Sequence, residues 1–237
     1  MTAASAPACE PIVALDYADA ASAMEMVDCL RGHCRFFKIG HELFTAGGPR
    51  IVERVQAGGN EVFLDLKFHD IPNTVRGGVR SAAALGVRLV TVHAVGGQAM
   101  LEAAVEGAGE DCGVLAVTVL TSLSAADVAS AWGRDRLDVR SEVLRLADTA
   151  AAAGVHGLVC SGEEAAAVRD RFGGRLATLV PGIRLVGGAT HDQARVVTPE
   201  AAVAAGARYI VVGRAVTAAG DPVAAYAQIA SAVGHRA

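Results

Sequence analysis

The sequence predicts an α/β protein folded as a single (β/α)8 TIM barrel, on three observations. Short runs rich in β-branched and aromatic residues recur about eight times along 237 residues. Ala-rich helical stretches separate them, and several end at a glycine just before the next run: SAAALGVRLVTVHA (81–94), AAAAGVHGLVCSG (150–162) and AAVAAGARYIVVGR (201–214). Glycine past a helix stops it, and continuous apolar runs suit parallel strands buried on both faces. The third observation is size, since eight β/α units in this length make one small barrel. A doubly wound open sheet is the competing architecture. Residues 1–10 are expected to form a loose N-terminal segment, and no linker or low-complexity stretch marks a second domain.

Barrels of this kind place their chemistry at the C-terminal ends of the strands, and each strand can be read for what it carries there. The first, Ile12–Asp16, ends in Asp16. The second, Phe36–Ile39, holds Lys38. The third, Val62–Lys67, ends in Asp65 and Lys67, with Asp70 in the turn beyond. Pro72, in PNTVRGGV, is placed to open the helix that follows. The fourth, Leu89–His93, ends in His93, and the fifth, Val114–Leu120, is followed by Thr121 and Ser122. Gly157–Cys160 is the sixth. The seventh, Ala177–Val180, runs into Pro181 and Arg184, and the eighth, Tyr209–Val212, into Gly213 and Arg214.

Composition excludes several classes. A net charge of −4 with 4% aromatics offers neither a basic stripe nor a stacking surface for nucleic acid. Five cysteines, an odd count with no C-x-x-C pair, disfavour a disulfide framework or a zinc site and fit a reducing cytoplasm. MTAASAPACEP has neither a basic n-region nor an apolar h-region, and the apolar stretches are too short to span a membrane. A cytoplasmic protein is expected, binding a small molecule rather than nucleic acid or membrane.

The densest chemistry is in EVFLDLKFHDIPNTV, Glu61 to Val75. Asp65 and Lys67 are two apart on a strand, so they share a face with Phe63 and point into the barrel mouth, while Leu64 and Leu66 face the helices. An Asp-x-Lys pair can be a plain strand-end salt bridge. Lysine, however, occurs only at 38 and 67 among 21 basic residues, and both fall at the ends of neighbouring strands. A lysine amine can trade a proton where arginine cannot. Asp16, Lys38, Asp65 and Lys67 could form an alternating acid–base array that titrates as a coupled set. A substrate carboxylate held against Asp65 would be repelled. Its loss as CO₂ would leave a carbanion for Lys67 to protonate.

FLDLKFHDIPNTV resembles the D-x-K-x-x-D signature of the orotidine 5′-monophosphate decarboxylases. VALD around Asp16, FFKIG around Lys38, VTVLTSL, VPGIR, DQAR and VVGRAVT are similar to further motifs of that family, in the same order and over nearly the whole chain. The resemblance implies a (β/α)8 homodimer that converts orotidine 5′-monophosphate to UMP and CO₂, the last step of de novo pyrimidine synthesis, with no metal or organic cofactor. It implies that Lys67 protonates C6, that Asp65 lies by the departing carboxylate, and that Lys38 and Asp16 contact the ribose. Asp70, Ile71 and Thr74 would reach into the partner subunit's site.

A nucleotide needs a phosphate site, and barrels often form one after strands seven and eight. Gly213 would let the backbone approach, and Arg214 offers a forked donor. Gly187 and Gly188 could let a loop close over the ligand. By the resemblance, Gln193 and Arg214 bind phosphate with Arg184 beside them, Pro181 and Gly213 belong to the substrate-binding motifs, and Thr121 holds the pyrimidine or its loop. A threonine after a strand can instead cap a helix. His69 and His93 receive no catalytic role, and Trp132 reads as a packing residue.

Two other functions compete. Magnesium-dependent sugar-phosphate decarboxylases or synthases share the strand-three signature but carry Glu where this chain has Lys38, and an ammonium there would repel a cation. A non-catalytic phosphate-binding barrel would have no need of Asp65, Lys67 and Asp70 together.

Overall fold

The computed structural model describes residues 9–185 and 196–235. Its eight strands are β1 (Glu10–Leu15), β2 (Phe36–Gly40), β3 (Glu61–Phe68), β4 (Leu89–His93), β5 (Gly113–Val117), β6 (Gly157–Val159), β7 (Ala177–Val180) and β8 (Tyr209–Val212). All neighbours are parallel, and β1 closes on β8, so the sheet is a barrel and not the open alternative.

The helices are α1 (Ala20–Cys29), α2 (His41–Gly47), α3 (Pro49–Gln56), α4 (Pro72–Ala83), α5 (Gln98–Ala108), α6 (Ala125–Ala131), α7 (Val139–Ala152), α8 (Gly162–Phe172), α9 (Pro199–Ala204), α10 (Arg214–Thr217) and α11 (Pro222–Ala232). Their starts follow local chemistry. Asp19, Asp138, Thr198 and Asp221 accept the free N–H groups at the starts of α1, α7, α9 and α11. Ser124 with Asp127 and Ser161 with Glu164 form reciprocal capping boxes. Pro72 opens α4 as expected.

Two apolar layers follow from strand parity. Ile12, Phe36, Phe63, Leu89, Leu115, Leu179 and Tyr209 fill the barrel interior. Val13, Phe37, Leu64, Val90 and Ile210 point outward under the helices. Phe63 and Leu64 thus take the faces predicted for them, and Leu66 packs outward with Leu64. Below the interior lies a charged floor. Arg88 spans Glu10 and Glu61, and its guanidinium sits 4.8 Å over the Phe36 ring.

Several strand ends move by one to three residues from the sequence reading, three of them with consequences. Glu10 and the buried Cys9, placed in a loose N-terminal segment, belong to the barrel: Glu10 pairs with Tyr209 and ion-pairs with Arg88. β1 stops at Leu15, leaving Asp16 just beyond its end. β5 stops at Val117, not Leu120: its partner β6 ends at Val159, whose carbonyl accepts both the Thr118 N–H at 3.2 Å and the Thr118 hydroxyl at 2.8 Å.

β3 carries the main irregularity. Phe63 and Leu64 pair with Leu89 and Val90, yet Phe68 pairs with Val92. Four steps on β3 therefore span two on β4, a bulge of the kind that gathers near active sites. Within it Lys67 adopts φ +46°, the only non-glycine positive φ among the described residues. Among the described residues no helix is long and apolar enough to cross a membrane.

Candidate active site

The strand ends enclose a cavity of about 290 Å³, lined by Asp16, Lys38, Asp65, Lys67, Thr121, Pro181, Arg184, Gly213 and Arg214. Nine of the residues singled out in the sequence therefore converge on one cleft, drawn from six strand ends.

The charged side chains form a chain. Lys38 Nζ donates to Asp16 Oδ1 at 2.9 Å and lies 3.7 Å from Asp65 Oδ2. Lys67 Nζ donates to Asp65 Oδ1 at 2.8 Å. The order Asp16, Lys38, Asp65, Lys67 alternates sign, as the sequence suggested. Burial pushes the Asp65 carboxyl up. The Lys38 and Lys67 charges, with hydrogen bonds from Lys67 and Thr91, more than offset it and hold the group below the usual carboxylate range. Asp65 is thus a fixed, largely buried negative charge with a cation on either side.

Two residues that the sequence reading passed over shape this array. Thr91, fully buried on β4, accepts the Lys67 backbone N–H at 2.8 Å and donates to Asp65 Oδ1 at 2.9 Å. The sequence offered for it only a threonine between valines in LVTVH, in step with the inward Leu89 and His93. Gly40 ends β2 two residues after Lys38, where a Cβ would stand 3.2 Å from Lys38 Nζ and 3.6 Å from Asp16 Oδ1. A side chain here would crowd the Lys38 ammonium and push it by a few tenths of an ångström.

The phosphate-side residues are partly placed. Arg184 and Arg214 face the cleft from β7 and β8. Gly213 lines the cleft beside Asp16, where an added Cβ would lie 3.8 Å from Asp16 Oδ2, an ordinary contact. Gln193 and the Gly187-Gly188 loop lie outside the described residues. Thr121 is buried in the cleft wall, and Ser124, not Thr121, caps the next helix. Trp132 packs against the core at the end of α6.

Asp70, Ile71 and Thr74 do not join this cleft. Asp70 turns its carboxylate onto the Ile71 N–H at 2.6 Å and makes no ion pair among the described residues. Ile71 is 68% exposed, the most exposed large apolar side chain described. Thr74 is exposed on the first turn of α4. His93 stands beside the array with its ring 5.7 Å from that of His69. Burial, then the charges of His69 and Lys67, hold its pKa below the ordinary histidine value.

Among the described residues no cluster of three or more His, Cys, Asp or Glu side chains is arranged to hold a metal ion. Lys38 occupies the space between Asp16 and Asp65 where such an ion would have to sit.

Comparison with known proteins gives one answer. Residues 10–229 match the model of the Orotidine 5′-phosphate decarboxylase / HUMPS family. The chain is 52% identical over 225 residues to an orotidine 5′-phosphate decarboxylase of Halorhodospira halophila, covering 94% of each chain. It is 50% identical over 221 residues to one from Alkalilimnicola ehrlichii, covering 92% of this chain and 93% of the relative. A crystal structure of orotidine 5′-phosphate decarboxylase from Lactobacillus acidophilus superposes with a TM-score of 0.83 at 37% identity, covering 95% of this chain and 99% of that one.

Proposed function

The chain belongs to the orotidine 5′-phosphate decarboxylase / HUMPS family, and on that premise we propose that it converts orotidine 5′-monophosphate to UMP and CO₂. The relatives named above carry that activity in their names over nearly their whole length. The observation that carries the reading within this chain is the Asp16–Lys38–Asp65–Lys67 chain of charges. Lys38 separates it from the magnesium-dependent branch, because its ammonium stands where a divalent cation would need those carboxylates.

The chemistry follows from the charges. The substrate carboxylate on C6 is seated toward Asp65, and Lys67 points at the same carbon. The C6–CO₂ bond breaks with its electron pair left on C6, CO₂ departs, and the Lys67 ammonium delivers a proton to C6. Solvent then reprotonates the amine. The catalytic gain comes from a cation already aimed at the developing negative charge. Asp65 adds repulsion in the ground state, a contribution of contested size. Lys38 and Asp16 hold the ribose, Thr121 the pyrimidine or its loop, and Arg214, Arg184 and Gln193 the phosphate, with Pro181 and Gly213 shaping the cleft. Phosphate contacts far from C6 lower the barrier when they help close the site.

The working unit is a homodimer. Exposed Ile71 and Asp70, which makes no ion pair among the described residues, support a role for Asp70, Ile71 and Thr74 in the partner's cleft. A cytoplasmic setting fits a nucleotide-pool enzyme.

The test is the ultraviolet absorbance of orotidine 5′-monophosphate with purified protein in EDTA. Rapid conversion to UMP is expected, and no conversion by folded protein would sink the assignment. The dimer is tested by mixing Lys67→Ala with Asp70→Asn. Shared sites predict that the mixture regains activity that neither variant has alone.

A further inference from the structure

We infer that Thr91 is a positioning residue for the proton donor, holding Lys67 and Asp65 in register through one hydroxyl. The inference rests on the decarboxylase reading above and adds a residue that touches no substrate.

A bulge in β3 places Asp65, Leu66 and Lys67 against the short span of β4 centred on Thr91. Lys67 there takes φ +46°, a left-handed conformation that non-glycine residues adopt only when their surroundings enforce it. The Lys67 N–H meets the Thr91 hydroxyl at 2.8 Å. A hydroxyl has one proton to give, and Thr91 gives it to Asp65 Oδ1 at 2.9 Å. The same Oδ1 receives Lys67 Nζ at 2.8 Å. Backbone, hydroxyl, carboxylate and ammonium thus close a ring. Rotation of Asp65 or relaxation of the Lys67 backbone breaks it.

Two consequences follow. Oδ1 is committed to Lys67 and Thr91, which leaves Oδ2, 3.7 Å from Lys38, as the looser oxygen turned toward the rest of the array. The ammonium is aimed from a strained backbone, so its placement depends on the group that holds the strain. Thr91 is wholly buried and points inward with Leu89. Valine can replace it in shape while removing only the hydroxyl.

The experiment compares the parent, Thr91→Val and Thr91→Ser. For Thr91→Val, kcat should fall about a hundredfold, the scale of a misplaced reacting group. KM should change less than about threefold, because ground-state contacts to the nucleotide are kept. The acid limb of its kcat profile should move to higher pH, since Asp65 loses a donor that favours its charged form. Thr91→Ser should recover kcat to within about fivefold of the parent, as it restores the hydroxyl. Parental kcat in Thr91→Val, or a loss that Thr91→Ser shares in full, overturns the inference while leaving the decarboxylase assignment intact. An inactive parent overturns both. Should Thr91→Val not fold, amide exchange in the parent decides: the Lys67 N–H must exchange slowly, and exchange as fast as in the exposed Asp70 turn sinks the proposal.

Discussion

Lys67 reaches Asp65 across 2.8 Å from a backbone turned to φ +46°, so the donor and the fixed negative charge are paired by a bulge rather than by regular strand geometry. If Lys67 is the proton source, Lys67→Ala should lose at least about a thousandfold in kcat, within the usual range for removing a general acid. Circular dichroism should show a folded barrel. Activity surviving in that variant would leave the reaction standing and remove Lys67 from it.

The two aspartates of the array should separate stability from activity. Asp16 is 63% exposed and Asp65 14% at the side chain. Asp16→Asn should shift unfolding by less than about 1 kcal/mol, as for an exposed ion pair, while raising KM through the ribose. Asp65→Asn leaves two partly buried ammonium groups facing each other and should cost about 2 kcal/mol at pH 7. The sign with pH follows from the lowered carboxyl of Asp65. Its stabilisation is present above the ordinary carboxylate value of about 4 and is lost as pH falls through its folded value. Urea melts of parent and Asp65→Asn should therefore converge in acid and diverge toward neutrality.

Gly40 predicts a change in activity without a change in fold. Its backbone, φ −96° and ψ −173°, is open to alanine. The added Cβ would stand 3.2 Å from Lys38 Nζ, the movable end of a long side chain. The protein should accommodate it by shifting the ammonium. Gly40→Ala is expected to melt within about 3 °C of the parent, as for a change below 1 kcal/mol, and to lose about tenfold in kcat/KM.

Most of the barrel was legible because the strands are short apolar runs, several preceded by a helix that ends at glycine, and parity alone assigned Phe63 inward and Leu64 outward. Asp16, Lys38, Asp65 and Lys67 were legible as charges that a buried strand end would not otherwise keep. Thr91 was not, since a hydroxyl in a strand carries no mark of the bulge it faces. That bulge is a register difference between β3 and β4, a tertiary fact that spacing along one strand does not contain. Asp16 and Thr118 show the same limit at boundaries. Whether a strand continues depends on how far its neighbour runs beside it, as β5 ends where β6 does.

The close approach of α4 and α5 predicts a sharp steric cost. A Cβ on Gly107 would lie 2.4 Å from the Arg76 carbonyl oxygen, a backbone atom that cannot move aside cheaply. Gly107→Ala should force the helices apart and cost about 2 kcal/mol, the usual scale of overpacking. Because α4 begins at Pro72, beside Ile71 and Thr74, its displacement should also weaken the proposed dimer. Thermal melting and sedimentation velocity would register the two effects, and an unshifted melting temperature would contradict the packing.

The charged floor should carry stability and no chemistry. Arg88 forks onto Glu10 at 2.8 and 2.9 Å, pairs with Glu61, and lies over Phe36 and Tyr209 at 4.8 and 5.9 Å. Arg88→Met keeps an apolar stem against the rings but strands Glu10, whose remaining cation, Arg208, is 3.6 Å away. Loss of one partner from a partly buried network should cost about 2 kcal/mol. The interior layer of Phe36, Phe63, Leu89 and Leu115 separates this floor from the array. With that layer intact, kcat for the folded variant should stay within about twofold of the parent, since distant sites with no shared partners act independently. A large fall in kcat without a fall in melting temperature would show that the floor is coupled to the cleft and that the two ends of the barrel do not divide their tasks.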